Sequence, residues 1–488
     1  MSSRTVLLEK LAAGLGPKGF TREPSAMSPW LEDWRKRYRG AAAALVSPAT
    51  TEEVVQIVRL CAAEGVPLVP QGGNTSMVAG AIPDRMGESL LLSLRRMNRI
   101  RSVSAVAHSA VCEAGVILSD LHAAAAEAGR RFPLSLGAKG SATVGGLIST
   151  NAGGTQVLRF GTMRGLVQGL EAVLPDGTLY EGLSALKKDN RGYDLKQLLI
   201  GAEGTLGIVT AASLRLVPAI GSRSVAWIGL DSPAKALELL LMLEASLGDA
   251  VESFELVPDV ALQLVLQHIP NTRAPLTGNH AWHVLVEATA PMVAPSPDKA
   301  LTAALHAAIE ADLLQDAVIA ANEAQAEAFW RIRDSISEAE HKDGPAAKHD
   351  LSVEVAAMPD FIVEASAAVE GRFPGTRVIA FGHLGDGNVH FNVRAPQGVG
   401  HEWLKTEAPA ITSFVHDQVV AASGSISAEH GIGQARLSEL ARLTDPARLN
   451  TMRAIKQALD PQGIMNPGKL VPPLAAGKQS LAEAGGRQ

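Results

Sequence analysis

Cysteine is nearly missing from this chain: Cys61 and Cys112 are the only two in 488 residues. That excludes a disulfide scaffold and a thiolate metal site. Excess positive charge is missing too. Lys and Arg total 44 against 50 Asp and Glu, a net charge of −6. A nucleic-acid binder or an anionic-membrane binder needs a basic surface, so both are excluded. No run of about 18 apolar residues occurs that could span a membrane. The apolar stretch Ala123–Ala128 is broken by Glu127 and followed by Arg130 and Arg131. Met1–Lys10 shows no secretory signal pattern, so a soluble cytoplasmic protein is expected. Disorder is excluded for the bulk of the chain by 47% hydrophobic and 19% charged residues. At about 150 residues per domain, the length suggests two large units.

The pattern alternates helix and strand. Residues 1–41 read as a helix with a polar lead-in. They contain a formal G-x-G-x-x-G at Gly14, Gly16 and Gly19. It follows a helical apolar pattern rather than a strand, and Pro17 sits inside it, so the dinucleotide reading fails. Residues 51–66 read as an amphipathic helix, followed by a short strand at 66–70 and a loop at 71–80. A strand at 90–94, a helix at 117–128 and strands at 170–174 and 206–216 continue the series. Asp176-Gly177 signals a hairpin. Beyond Pro218 come long Ala- and Leu-rich helices, at 234–245 and 298–313, with a strand at 281–287. Residues 376–393 and 424–433 are rich in Gly and His, and 437–459 reads as helical. The tail beyond Pro473 reads as frayed.

Glycine is abundant, 46 residues, above the usual share of about 7%. Much of it lies in four windows: Gln71–Ser76, Gly137–Gly146, Ser149–Gly154 and Gly201–Gly207. These windows are rich in hydroxyls and amides and almost free of acids. Glycine lets a ligand approach backbone amides closely. A neutral, donor-rich surface of this extent suits a large diphosphate-containing ligand.

Five stretches carry a family resemblance: P-L-V-P-Q-G-G-N-T-S, T-V-G-G-L-I-S-T-N-A-G-G, L-P-D-G-T, G-A-E-G-T-L-G-I-V-T and G-I-M-N-P-G-K-L. They resemble the FAD-binding domain of vanillyl-alcohol oxidase-type flavoproteins. The nearest branch is the D-2-hydroxyacid dehydrogenases, which includes D-lactate, glycolate and D-2-hydroxyglutarate dehydrogenases. The resemblance implies an α+β fold with a two-part FAD-binding domain and a substrate (cap) domain built on an antiparallel sheet. The implied divisions are 1–41, 42–220, 221–430, 431–475 returning to the FAD domain, and a tail at 476–488. FAD is then held by Gln71, Gly72, Gly73, Asn74, Thr75 and Ser76, and by Gly137, Ala138, Gly140, Ser141, Thr143, Gly145 and Gly146. Further FAD residues are Asn151, Gly153, Gly154, Glu203, Gly204, Gly207, Ile208, Val209 and Asn466. Gln71–Ser76 contains neither His nor Cys, which favours non-covalent FAD.

The segment Phe381–Asn392 reads F-G-H-L-G-D-G-N-V-H-F-N. A two-residue loop at Asp386-Gly387 places His383 directly opposite His390 across a hairpin, with Asn392 on the face of His390. Two imidazoles so placed can chelate a divalent metal. Glu429-His430, read alone, is an exposed charged loop. The resemblance extends to G-H-x-G-D-G-N-x-H-x-N and E-H-G-I-G. It implies that His383, His390 and Glu429 bind the metal, Asn392 contacts substrate and His430 is the general base. Zinc is the expected metal, with manganese and iron as alternatives.

In W-R-I-R-D-S-I-S, Arg333 and Ser337 are spaced i, i+4 on one helical face, and Lys348 follows. Alone these read as solvated charge, and Arg331 competes for any role. By resemblance to D-2-hydroxyglutarate dehydrogenases, Arg333, Ser337 and Lys348 hold the far carboxylate of a diacid. The implied reaction oxidises D-2-hydroxyglutarate to 2-oxoglutarate. His430 takes the hydroxyl proton, the C2 hydride goes to flavin N5, and electrons pass to an acceptor such as electron-transfer flavoprotein. A homodimer is compatible with the family. D-lactate, glycolate or D-malate oxidation stays open, as does a metal-binding protein without catalysis. A NAD-dependent enzyme would have to rest on the disfavoured Gly14–Gly19, and flavin absorbance without added cofactor would exclude it.

Overall fold

The computed structural model describes residues 3–473. Three main sheets organise them, an α+β arrangement. The first has Ala44–Val46, Leu90–Ser93 and Leu68–Gln71 in parallel, with Phe20–Thr21 antiparallel on the edge. Leu90, Leu91 and Leu92 are all fully buried, as a strand covered on both faces requires. The crossover helix Thr51–Glu64 starts where Thr50 accepts a hydrogen bond from the Glu53 N–H. It stops at Gly65, at φ 64°, and buries Val54, Ile57, Val58 and Cys61 against the sheet.

The second sheet has five antiparallel strands, in the order Ile100–Ser104, Ser109–Glu113, Ile208–Arg215, Val167–Val173 and Leu179–Gly182. The expected hairpin at Asp176-Gly177 joins the last two, with Asp176 Oδ1 accepting from the Thr178 N–H. The third sheet has seven antiparallel strands: Asp316–Ile319, Ile220–Leu230, Trp282–Pro291, Val251–Pro258, Arg377–His383, Asn388–Arg394 and Ala346–Ser352. Alternation gives it two apolar faces. Ala226 and Ile228 face helices Pro233–Leu247, Asp298–Glu310, Met358–Arg372 and Ala408–Ala421. Val225 and Trp227 face helices Asp259–His268, Glu323–Asp334 and Ile336–Asp343.

Gly14, Gly16 and Gly19 lie within helix Ser3–Gly19, and no strand precedes them among the described residues. The expected continuous helix at 437–459 is two helices, Leu437–Leu443 and Pro446–Leu459. Pro446 cannot continue the first, and Asp445 caps the second through the N–H groups of Ala447 and Arg448. The chain then returns to the first sheet. Leu68 N donates to Ile464 O at 2.8 Å, and Asn466 N donates to Leu68 O at 2.8 Å. The frayed tail and the 476–488 division lie outside the described residues.

Glu252, fully buried on strand Val251–Pro258, ties the sheets together. Its carboxylate accepts from Arg131 Nη2 at 2.6 Å, Gln156 Nε2 at 2.7 Å, Arg159 Nη1 at 3.0 Å and Thr289 Oγ1 at 2.6 Å. Three of these donors come from residues 131–159, so the network links the flavin-loop half to the seven-stranded sheet. Glu252→Ala leaves two guanidinium groups without their buried partner. The expected loss is about 3–5 kcal/mol of stability, read from denaturant midpoints. An unchanged midpoint shows that the network does not hold the halves together.

Candidate active site

A cavity of about 620 Å³ opens where the glycine loops meet. It is lined by Gln71, Gly72, Gly73, Asn74, Thr75, Ser76, Gly137, Ala138, Ser141, Thr143, Gly145, Gly146, Gly153, Glu203, Gly204, Gly207, Ile208 and Val209. Glycine is sterically required at Gly73, where a Cβ would sit 1.9 Å from Ser141 O. Thr143 Oγ1 and Gln71 Oε1 are buried without a hydrogen-bond partner among the described residues. Orphaned polar atoms on the wall of a long, glycine-lined cleft fit a large polar cofactor. Trp34, Met77 and Leu136 also line the cavity. Composition gave no signal for Trp34, because it arrives from the N-terminal lead-in.

Four of the expected flavin residues lie off this wall. Asn151, at φ 50°, ends helix Val144–Thr150, and its Oδ1 accepts from the Arg164 N–H. Gly154 packs on backbone, where a Cβ would meet Ser135 O at 2.1 Å. Asn466 staples the wall from behind, donating Nδ2 to Gly80 O at 3.0 Å and Glu203 O at 2.7 Å. Gly140 faces open space.

Glu429 and His430 line the same cavity. Two buried carboxylates hold their loop. Asp350 Oδ2 accepts from the N–H groups of Glu429 at 3.0 Å and His430 at 2.9 Å. Glu203 accepts from Ile432 N and Gly433 N, both at 2.8 Å. Gly431, at φ 77°, leaves no room for a Cβ, which would sit 2.7 Å from Glu203 Oε1. Burial keeps the Glu203 carboxyl above its ordinary pKa, against the pull of those two N–H groups.

The expected register of the histidine hairpin is corrected. Strands Arg377–His383 and Asn388–Arg394 are joined by four residues, Leu384–Gly387, not two. A helical turn at Leu384–Asp386 closes on Gly387 at φ 76°. Asp386 Oδ1 accepts from the Asn388 N–H at 3.0 Å, which makes Asp-Gly the second half of a longer turn. His383 therefore pairs with Asn388, and His390 with Phe381. A slip of two residues preserves the faces, so the histidines remain diagonal neighbours with ring centroids 5.4 Å apart.

The same parity gathers the rest of the site. Lys348 pairs with Asn392, Asp350 with His390, and Glu255 with His383, all on one face of the seven-stranded sheet. Ligand atoms of His383, His390 and Glu429 lie within 4.8 Å of one another. Metal–ligand bonds of about 2.0–2.2 Å need only slight closure of this group. Two imidazoles and a carboxylate suit a borderline divalent ion such as zinc.

Burial sets the charges here. It pushes Glu429 up to about 7 and His430 down to about 4, the latter opposed by Asp350. Burial also lowers His390, reinforced by His383. His383 is raised to about 9 against its burial, because Glu255 Oε1 lies 2.7 Å from its Nδ1. Asp350 is held below the ordinary carboxylate range against burial, by His430 and Arg436.

Arg333 is buried and donates Nε to Glu255 Oε2 at 2.7 Å. Lys348 Nζ donates to Glu340 Oε2 at 3.1 Å and to Ser337 O at 3.3 Å, so Ser337 meets the lysine through its backbone. Asn392 Nδ2 donates to the same Glu340 oxygen at 2.8 Å. Burial lowers Lys348, offset by Glu340. Arg331 turns away and donates to Pro270 O at 2.9 Å. Glu255, Glu340 and Asp350 were not singled out from sequence, and Glu203 was expected at the flavin rather than as the acceptor for the Ile432 and Gly433 N–H groups. Glu203, Glu255 and Asp350 meet partners distant in the chain, whereas Glu340 meets Lys348 only eight positions on as well as the more distant Asn392.

Residues 42–182 match the family model described as FAD binding domain, and 221–470 match FAD linked oxidases, C-terminal domain. This chain belongs to the FAD-linked oxidase family. Two relatives agree over nearly all of it. The mitochondrial D-2-hydroxyglutarate dehydrogenase of Arabidopsis thaliana is 37% identical over 94% of this chain and 80% of that protein. The D-2-hydroxyglutarate dehydrogenase of Xanthomonas citri pv. viticola is 38% identical over 92% of this chain and 93% of that protein. A solved p-cresol methylhydroxylase shares the fold with a TM-score of 0.75 at 16% identity, covering 97% of this chain and 98% of that one. The vanillyl-alcohol oxidase-type FAD fold expected from sequence is therefore the observed one. Among the described residues no helix is long and apolar enough to cross a membrane.

Glu203→Ala strips two buried N–H groups of their acceptor in this flavoenzyme. The expected destabilisation is about 1–3 kcal/mol, visible as a lower thermal midpoint of the FAD-bound protein. An unchanged midpoint removes Glu203 as the holder of the loop.

Proposed function

We propose that this protein oxidises D-2-hydroxyglutarate to 2-oxoglutarate and delivers the electrons to an acceptor such as electron-transfer flavoprotein. The observation that carries the reading is the placement of Glu429 and His430 on the wall of the flavin-loop cavity, beside His383 and His390. When bound, non-covalent FAD supplies the hydride acceptor at N5, and a divalent metal, zinc in this reading, supplies Lewis acidity. FAD would lie against Gln71–Ser76 and Gly137–Gly146, and the metal on His383, His390 and Glu429.

The remaining work belongs to side chains of this chain. His430 has its pKa lowered to about 4 by burial, so it is neutral at pH 7 and able to accept the C2 hydroxyl proton. Asp350 Oδ2, 3.2 Å from His430 Nδ1, orients the ring and favours the imidazolium that forms. Arg333, Lys348 and Asn392 present donors to the two carboxylates of the acid. Fixing both ends makes the proton transfer effectively unimolecular. A monocarboxylic substrate has no use for the second cation, and both relatives above are named for the diacid.

His430→Ala should slow flavin reduction by D-2-hydroxyglutarate about 10²–10⁴-fold in stopped flow. Reduction at the wild-type rate removes His430 as the base. Separately, Lys348→Ala should raise KM for D-2-hydroxyglutarate far more than for D-lactate. Equal rises in the two values count against the diacid.

A further inference from the structure

Glu255 lies on strand Val251–Pro258, fully buried, and was not singled out by any motif. Its two oxygens are both engaged: Oε1 with His383 Nδ1 and Oε2 with Arg333 Nε, each at 2.7 Å. Arginine Nε always carries a proton, so Oε2 accepts. A carboxylate oxygen 2.7 Å from Nδ1 likewise marks Nδ1 as the donor. The other ring nitrogen, Nε2, is then the atom left for a metal. Arg333 is held a second way, with its guanidinium carbon 5.2 Å from the centroid of the Phe381 ring. Among the described residues its terminal nitrogens donate to no protein acceptor. The anchored Nε leaves that outer edge free, and an arginine edge matches a carboxylate in two parallel hydrogen bonds.

We propose that Glu255 is a positioning residue that aims two groups at once: His383 Nε2 toward the metal, and the outer edge of Arg333 toward a carboxylate of the substrate. The inference rests on the reading of the site given above and adds one point to it. Metal affinity and recognition of the acid are coupled through a single buried side chain. The coupling has a chemical signature. Both neighbours of Glu255 are donors, and a carboxylate offers two acceptor oxygens. Glutamine has the same shape but one acceptor oxygen and an amide that donates. Glu255→Gln must therefore either release Arg333 or force His383 to present a proton on Nε2, and each choice damages one of the two functions. Glu255→Asp keeps both acceptors and the charge but is one methylene shorter.

The test uses the purified FAD-bound protein. Zinc affinity is measured by competition with a chromophoric chelator. Binding of 2-oxoglutarate is read from perturbation of the flavin spectrum, KM and kcat are determined for D-2-hydroxyglutarate, and FAD content serves as the folding control. Glu255→Gln should weaken zinc binding or 2-oxoglutarate binding about 10–100-fold, with KM rising and FAD content unchanged. Glu255→Asp should fall between Gln and wild type. Wild-type zinc affinity, 2-oxoglutarate affinity and KM in Glu255→Gln overturn the proposal. If Glu255→Gln does not fold, Glu255→Asp decides: weakened binding of zinc or 2-oxoglutarate supports it, and wild-type values of both overturn it. If the wild-type protein binds no zinc, the metal part of the proposed function fails. Glu255 is then judged by 2-oxoglutarate alone, and unchanged affinity in the variants overturns it.

Discussion

Among the described residues the loop Glu429–Gly433 has no strand partner for its N–H groups, and the site depends on where those groups find acceptors. Asp350 takes two of them from the side of the seven-stranded sheet, and Glu203 takes two from the side of the flavin loops. Buried N–H groups must be paired, so the loop can settle only where both carboxylates reach it. That requirement carries Glu429 and His430 to the seam between the halves. The halves are themselves locked by Glu252 and its arginines. Placement of the reactive side chains is thus a by-product of satisfying backbone donors.

Electrostatics follows from the same burial. Titratable groups crowd together with little water, so each takes the charge its nearest partner allows. His383 is pushed up to about 9 by Glu255, while His430 falls to about 4 because burial outweighs Asp350. A paired carboxylate raises one histidine and burial lowers the other. Divergent pKa values among neighbouring groups are the mark of a site that moves protons.

Much of this was legible in the sequence, because the flavin loops and the histidine segment are local. Glycine density in Gln71–Ser76 and Gly137–Gly146 reported the cavity wall directly. The two-face alternation reported that His383, His390 and Asn392 share a side, and a register slip of two residues could not spoil it; that Lys348 joins them is seen only in the strand pairing. The slip itself was not legible. Asp-Gly is the usual signal for a two-residue turn, and only the Asp386–Asn388 hydrogen bond shows that it closes a longer one. Nor were the supporting roles of the acids legible. Glu255 meets His383 across 128 positions, and Glu203 meets Ile432 across 229. No periodicity within a window of ten or twenty residues encodes such meetings. Asn466 was assigned to the flavin for its motif; its Nδ2 donates to Gly80 O and Glu203 O, while its Oδ1 is buried without a partner among the described residues.

The return of the chain at Ile464–Asn466 to Leu68 has a consequence for biosynthesis. One strand of the flavin-loop half stays without its last backbone partners until nearly 400 further residues have been made. At about 5–20 residues per second, that is an interval of tens of seconds on the ribosome. During that time the half holding most of the loops is complete in sequence but open along one edge. The seven-stranded sheet, whose strands all lie between residues 220 and 394, can close within the same interval. The order of the chain alone thus leaves the edge at Leu68 without these two backbone hydrogen bonds until almost the whole protein has been made.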